Sequence, residues 1–225
     1  MSAPASWTVE EVTGTAAEIH GRSVPSPARR LVWVHRVSDP ALVLGSTQPD
    51  DVVDEGAVRS AGVAVVRRRS GGGAVLVEPG GVVWVDVVVP VGDPLWDDDV
   101  GRAFTWVGER WAAALGEVGV AGAEVHQGGL VTTPWSRLVC FGGRGPGEVT
   151  VGGAKVVGLA QRRTRGGAWF QGAALLRWAP ADLVDLLRLK PAGRRDALAD
   201  LEGRAAGVAV DPAALVAAFL SLLPH

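Results

Sequence analysis

The chain has 225 residues and a formal net charge of −2, so its charge gives no reason to expect nucleic acid or an anionic membrane as a partner. Hydrophobic residues make up 48% and charged residues 20%, and no apolar run reaches the ~18 residues that a membrane span needs. The first residues lack the pattern of a signal peptide. A single cysteine excludes an internal disulfide, and the four histidines show no zinc-ligand spacing. We therefore expect a cytoplasmic protein without a metal site.

Short β-rich runs dominate the first half of the chain. Strands are predicted at residues 31–36, 41–45, 62–66, 74–77 and 82–89, and a short helix is predicted within residues 50–61. The run from Val82 to Val89 is almost entirely apolar, which predicts a strand buried on both faces.

A single long helix is predicted after these strands. Residues 97–99 are all aspartate, which favours a helix start. Apolar residues then recur every three or four positions, at Val100, Phe104, Val107, Trp111 and Leu115. Gly116 and Gly119 are expected to end this helix.

The second half alternates strands with helices. An apolar run covers residues 137–141, and residues 148–163 read as a hairpin with glycines 152 and 153 at its turn. A further strand is predicted at 168–177. Helices are predicted at about 180–189, 193–203 and 211–223. No linker or repeat divides the chain, so we expect one domain with a mixed sheet and helices.

Three arginines and three glycines lie between two predicted strands, at residues 67–73. Consecutive glycines let the backbone approach a ligand closely, and exposed amides can bind an anion. Strand alternation places Arg67 and Arg69 on one face and Arg68 on the other. The segment therefore predicts an anion site, although a flexible turn with solvated charges gives the same pattern.

A second polar segment surrounds Lys155, one of only two lysines in a chain rich in arginine. Strand alternation places Lys155 on the face of Val157, Leu159 and Gln161, and places Gly158 on the opposite face. Next to apolar neighbours, the ammonium would be partly desolvated and would attract a carboxylate or phosphate strongly. The alternative is a hairpin lysine with its head in water.

Together these segments resemble the biotin/lipoate protein ligase superfamily, specifically its lipoate-protein ligase and octanoyltransferase branch. Residues 67–75 (RRRSGGGAV) look like the RRxSGGGAV signature of that branch, and residues 153–163 (GAKVVGLAQRR) look like its GxKxxGxAQRR signature. Residues 45–48 (GSTQ) look like its GxxQ element. The weaker similarity extends over about residues 15–180.

The resemblance implies an α+β fold with a mixed, largely antiparallel central sheet flanked by helices. It implies one catalytic domain over residues 1–225, without the large C-terminal accessory domain of some ligases. The implied nucleotide- and acyl-binding residues are Arg68, Ser70, Gly71, Gly72, Gly73, Ala74, Val75, Leu76 and Lys155. Lys155 would contact the acyl carboxyl and the α-phosphate, because a cation offsets the repulsion between these anions.

The leading hypothesis from this resemblance is a ligase that activates lipoate or octanoate with ATP and Mg²⁺. It would pass the acyl group to a lysine of a carrier domain. The implied carriers are the lipoyl domain of a 2-oxoacid dehydrogenase E2 subunit and the glycine cleavage H protein. Acyl carrier protein is a further implied partner.

Cys140 leads to an alternative that needs neither ATP nor metal. Some relatives with both signatures transfer octanoyl or lipoyl groups through a cysteine in a Cys-Phe pair upstream of the lysine, and Cys140-Phe141 is such a pair. Positive charge nearby activates a thiol as a nucleophile, and Lys155 could supply it. The other interpretation is an inert thiol buried on an apolar strand.

A third hypothesis is a non-catalytic member that binds acyl or nucleotide ligands. It is motivated by missing histidines, which are among the departures from the pattern of the family. Val77 and Gln171 stand where the family often has histidine, and residues 147–148 are Gly-Glu where the ligases often have Asn-Asp.

Overall fold

The computed structural model describes residues 6–225, so most of the segment assessed for a signal peptide, residues 1–5, lies outside the described residues. The strands are β1 (Thr8–Gly14), β2 (Leu31–Val37), β3 (Ala41–Leu44), β4 (Ala64–Arg67), β5 (Val75–Val77), β6 (Val82–Pro90), β7 (Ala123–Val125), β8 (Val149–Val151), β9 (Ala154–Arg163) and β10 (Gly167–Leu175). The α-helices are α1 (Ala16–Gly21), α2 (Glu55–Ser60), α3 (Thr105–Glu117), α4 (Pro180–Asp185), α5 (Pro191–Leu201) and α6 (Pro212–Ser221).

The strands form two sheets. Seven of them pair in the order β1-β2-β6-β10-β9-β8-β7, and three pair in the order β4-β3-β5. Only the β1–β2 and β3–β4 pairs are parallel among these neighbours. The predicted mixed, largely antiparallel sheet flanked by helices is therefore confirmed.

The centre of the large sheet is the most apolar part of the chain. Residues 83–89 of β6 are all buried, as the continuous apolar run predicts. On one face, Val85 and Val87 belong to a core cluster with Trp111 of α3 and Phe219 of α6. Burying such side chains contributes about 1.5–3 kcal/mol each to folding. The opposite face packs against the small sheet and the loop that carries the first motif, whereas the second motif lies on β9 of the large sheet itself.

The long helix begins later than the aspartates predict. A 3₁₀ turn at Arg102–Phe104 precedes α3, which starts at Thr105. The carboxylate of Asp99 accepts the amide of Arg102, the first residue of this 3₁₀ turn, at 2.9 Å and does not cap α3. Within residues 6–225, no helix is long and apolar enough to cross a membrane.

A β-bulge changes the face on which Lys155 lies. Val149 of β8 pairs with Val157, whereas the next residue, Thr150, pairs with Lys155, so Val156 is an extra residue in β9. A Cβ on Gly158 would lie 3.4 Å from Cε of Lys155, so these two residues share a face. The prediction that Lys155 shares the face of Val157 was wrong, because the bulge reverses the alternation.

Candidate active site

Two cavities meet between the two sheets. The first is apolar, has a volume of about 70 Å³, and lies between the small sheet and the large one. Val43 and Val75 line it from the small sheet, and Trp84, Gly158 and Ala173 line it from the large sheet. We call it the apolar cavity. Its walls suit a hydrocarbon chain.

The second cavity is a larger and more polar cleft of about 720 Å³. The triple glycine, residues 71–73, lines this cleft together with Lys155 and Glu148. The two polar motifs, 80 residues apart in the chain, therefore meet in one site. Cys140 lines both the cleft and the apolar cavity, so its half-buried thiol lies where they join.

The backbone of Cys140 is held by the glycine segment. Ala74 donates its amide to the carbonyl of Leu138 at 2.8 Å, and Cys140 donates its amide to the carbonyl of Ala74 at 3.0 Å. Gln48 donates its amide nitrogen to the carbonyls of Arg137 and Leu138 at 3.2 and 3.1 Å. Residues 140–142 form a 3₁₀ turn, so the alternative of a thiol on an apolar strand was wrong.

Only glycine at positions 72 and 73 allows the glycine segment to lie this close to Val139 and Cys140. A Cβ on Gly73 would lie 2.6–2.7 Å from backbone atoms of Val139 and Cys140. Gly72 has a φ of +99°, and a Cβ there would lie 3.6 Å from Sγ of Cys140. The thiol therefore lies against the glycine turn. Among the described residues, the amides of Gly71, Gly72 and Gly73 donate no hydrogen bond, which leaves them available to an anion.

The arginines of the first motif brace this turn. Arg68 is buried and donates to the carbonyls of Gly71 and Gly73 at 2.7 and 2.8 Å. Arg67 donates to the carbonyl of Gly45 at 2.7 Å and also pairs with Asp50. The alternative of a turn flanked by solvated charges therefore does not fit Arg68, whereas Arg67 and Arg69 are exposed.

Lys155 is fully engaged within the protein. Its ammonium donates to the carbonyls of Cys140 and Gly143 at 3.0 and 3.3 Å, and it lies 2.7 Å from Oε1 of Glu148. The ammonium also lies 4.7 Å from the centre of the Phe141 ring. An ammonium has three N–H donors, and this arrangement supplies three oxygen partners. The alternative of a lysine with its head in water is excluded, because the residue is 2% exposed.

Glu148 completes the charge balance of the site. Besides Lys155, its carboxylate accepts the amide of Gly145 at 2.7 Å and the amide of Leu159 at 3.2 Å. The side chains of Glu148 and Lys155 are 6% and 3% exposed, so both charges are buried together. The sequence marked Glu148 only as a departure from a family pattern. An acid just before a hairpin that carries a lone lysine is a signal that could have identified it.

Comparison with known families agrees with this geometry. Residues 10–209 match the family model described as the lipoyl protein ligase A/B catalytic domain. The chain belongs to the lipoyl protein ligase A/B catalytic domain family. It is 31% identical, over 188 residues, to the octanoyltransferase LipM of Moorella thermoacetica. That alignment covers 82% of this chain and 66% of the length of LipM.

Solved structures of the family share the fold. A bi-partite lipoate protein ligase from Thermoplasma acidophilum, described with its E2 lipoyl domain, aligns with a TM-score of 0.71 and 19% identity, covering 98% of this chain and 84% of that one. A lipoate-protein ligase A bound with ATP aligns with a TM-score of 0.70 and 20% identity, covering 96% of this chain and 83% of that one. At these identities the likeness establishes the fold alone.

Of the remaining motif residues of this lipoyl ligase family member, Val75 lines the apolar cavity, whereas Ser70, Ala74 and Leu76 line neither cavity. The hydroxyl of Ser70 donates to Gln171 at 3.0 Å. Ala74 is buried in a core cluster, and Leu76 packs against the same cluster. The nucleotide- and acyl-binding roles of these residues stay predictions. Within residues 6–225, no group of three or more His, Cys, Asp or Glu side chains is placed to bind a metal.

His20 of α1, which the sequence did not single out, lines the apolar cavity. Its Nδ1 lies 3.3 Å from the side-chain nitrogen of Gln171. The pKa of His20 is lowered to about 4, chiefly by burial; the charge of Asp86 opposes this shift, and the charges of Arg68 and His35 add to it. The imidazole is therefore neutral at pH 7, and the cavity keeps its apolar character.

This lowered pKa predicts a pH-dependent stability. As the pH falls below 6.5 the unfolded chain binds a proton at His20, whereas the folded protein does so only near pH 4. The free energy of unfolding should therefore decrease by about 3 kcal/mol between pH 6.5 and 4 from this residue, at ~1.4 kcal/mol per pKa unit. Urea unfolding across this range should show a shallower pH dependence in His20→Gln than in the wild type. The exposed variant His225→Gln is the control, and an equal slope in wild type and His20→Gln would contradict the prediction.

Proposed function

We propose that this protein is a cysteine-dependent acyltransferase that moves an octanoyl or lipoyl group from a thioester donor to a lysine of a lipoyl carrier domain. The observation that carries the proposal is the position of Cys140. Its thiol lies at the junction of an apolar cavity, which suits the acyl chain, and a polar cleft, which suits the donor and acceptor groups. The similarity to LipM, named as an octanoyltransferase, supports it.

The reaction has two balanced steps. The Cys140 sulfur attacks the carbonyl carbon of the donor thioester, a new C–S bond forms, and the donor thiol leaves with the proton that Cys140 gave up. The neutral amine of the carrier lysine then attacks the Cys140 thioester. An amide forms, the C–S bond breaks, and the Cys140 thiol recovers a proton from the amine. No oxidant or nucleotide is consumed.

The residues around Cys140 have distinct roles in this scheme. Both tetrahedral intermediates carry an oxyanion, and the unpaired amides of residues 71–73 are suitable donors for it. Lys155 acts as a positioning residue, because it holds the carbonyls of Cys140 and Gly143 and so fixes the turn that presents the thiol.

The expected partners follow from this chemistry. The acceptor would be the lipoyl domain of an E2 subunit or the glycine cleavage H protein, and the donor would be an acylated acyl carrier protein. The T. acidophilum ligase described with an E2 lipoyl domain supports the first of these. A thioester donor is uncharged at its reacting carbonyl, which suits a site whose lysine is already paired with Glu148.

ATP-dependent ligation is the second candidate, because the cleft has room for more than an acyl chain. The amides of residues 71–73 and the side chains of Arg137 and Arg144, which also line the cleft, would hold the phosphates. ATP, with Mg²⁺, would supply the activation of a free carboxylate. However, Lys155 would have to give up one of its three partners to contact either anion.

One experiment separates these candidates. The protein is incubated either with octanoyl-acyl carrier protein or with octanoate, ATP and Mg²⁺, and is then examined by mass spectrometry and for pyrophosphate release. We expect an octanoyl adduct on the peptide containing Cys140 in the first mixture. Pyrophosphate release without a cysteine adduct would establish the ligase instead. If octanoyl-acyl carrier protein and octanoate with ATP each raised the thermal stability, but neither a cysteine adduct nor pyrophosphate release was seen, the protein would be a non-catalytic binding protein.

A further inference from the structure

The floor of the apolar cavity changes from small to large side chains along one line. Gly158 of β9, Ala173 of β10 and Trp84 of β6 lie side by side across three neighbouring strands. All three line the cavity. Gly158 is at the end near Phe141, the residue that follows Cys140, since a Cβ on Gly158 would lie 3.0 Å from the Phe141 ring. The cavity therefore has an open floor near Cys140 and a bulky indole two strands away.

The distance along this line suits a medium-length chain. Neighbouring strands are about 4.8 Å apart, so Gly158 and Trp84 are separated by about 10 Å. This is close to the length of an extended octanoyl chain. A chain that starts at the sulfur of Cys140 and crosses Ala173 would therefore meet the indole near its last carbons.

Trp84 is held rigidly in this position. It is 5% exposed, and its Nε1 donates to Oδ1 of Asp86 at 2.7 Å. Its ring centre lies 4.7 Å from that of His20 and 5.0 Å from that of His35. Asp86 is itself completely buried and is bound by His35 and Trp169 as well. These contacts hold the indole in place against a longer chain.

We propose that Trp84 sets the upper length of the acyl group that this enzyme accepts, with Ala173 keeping the middle of the path open. The inference rests on the proposed acyl transfer through Cys140. On this proposal, removing the indole of Trp84 lengthens the longest acyl chain that the cavity accepts. A larger side chain at position 173 shortens it.

The test uses mixtures of acyl carrier protein loaded with butanoyl, octanoyl and dodecanoyl groups, and the adducts on Cys140 are compared by mass spectrometry. The wild type should favour octanoyl. Trp84→Leu should raise the ratio of dodecanoyl to octanoyl adduct at least tenfold. Ala173→Leu, which leaves Trp84 and Asp86 in place, should raise the ratio of butanoyl to octanoyl adduct at least tenfold. The control is Trp33→Phe, which alters another buried indole outside the cavity lining, and it should keep the wild-type ratios.

Thermal shifts with free fatty acids of the same lengths measure the cavity independently of the thiol. The length that stabilises most should increase in Trp84→Leu and decrease in Ala173→Leu. If folded Ala173→Leu kept the wild-type preference for acyl length, either in the Cys140 adducts or in the thermal shifts, the inference would be overturned. This holds even if Trp84→Leu failed to fold. No adduct on the wild type at any length, together with a preserved thermal-shift profile, would instead overturn the proposed transfer and leave the length selection standing.

Discussion

Replacing Cys140 by serine is expected to lower the rate of acyl transfer to a carrier lysine by about three orders of magnitude or more, as removing a nucleophile does in other covalent enzymes. The thiol is half-buried and its side chain makes no hydrogen bond among the described residues. The fold should therefore be unaffected, with a change in unfolding free energy within about 0.5 kcal/mol. The measurement is kcat/KM for octanoyl transfer from acyl carrier protein to an isolated lipoyl domain.

The chain offers a chemical check on the same residue. Cys140 is the only cysteine, so alkylation with iodoacetamide should inactivate the wild type in proportion to a single modified site. Preloading with octanoyl-acyl carrier protein should protect that site. Full activity of Cys140→Ser would refute the thioester mechanism, and activity that depends on ATP in that variant would favour ligation.

Replacing Lys155 by methionine is expected to have the largest effect on stability, because it leaves the carboxylate of Glu148 buried without its cation. Removing one partner of a buried ion pair typically costs about 3–5 kcal/mol. The double variant Lys155→Met/Glu148→Gln should recover part of this loss. Glu148 accepts the amides of Gly145 and Leu159 on separate oxygens, so the single glutamine oxygen can keep only one of these hydrogen bonds and the recovery should be partial. Guanidinium unfolding of the single and double variants gives the coupling energy.

The matched control for this pair lies on the surface. Arg204, in the turn that follows α5, pairs with Asp200 at 2.6 Å, and their side chains are 46% and 25% exposed. Arg204→Met should cost less than about 1 kcal/mol. If Lys155→Met lowered the free energy of unfolding by no more than Arg204→Met does, the buried pair would not stabilise the turn at Cys140. Transfer activity should be lost in both Lys155 variants, because each releases the carbonyls of Cys140 and Gly143.

The local patterns of the sequence predicted most of the sheet, and the failures have physical causes. The apolar run of β6 was unmistakable because that strand is buried on both faces. The edge strands β1 and β7 were missed, since most of their side chains are at least partly exposed and carry no apolar pattern. Helix α1 was missed although Thr15 and Glu18 form a capping box, which is typical of a helix N-terminus. The assignment of residues 1–225 to one catalytic domain and the cytoplasmic location stay predictions.

Short motifs whose chemistry is local were enough to indicate the family and the candidate nucleophile. The resemblance to the family also implied that the triple glycine and Lys155 share one site. Only the folded structure shows the pairing of Lys155 with Glu148, the bulge that brings Lys155 to the face of Gly158, and the alignment of Trp84 with Ala173. Each depends on strand register or on the path of a loop, and these result from packing between distant segments. No single stretch of sequence encodes such contacts.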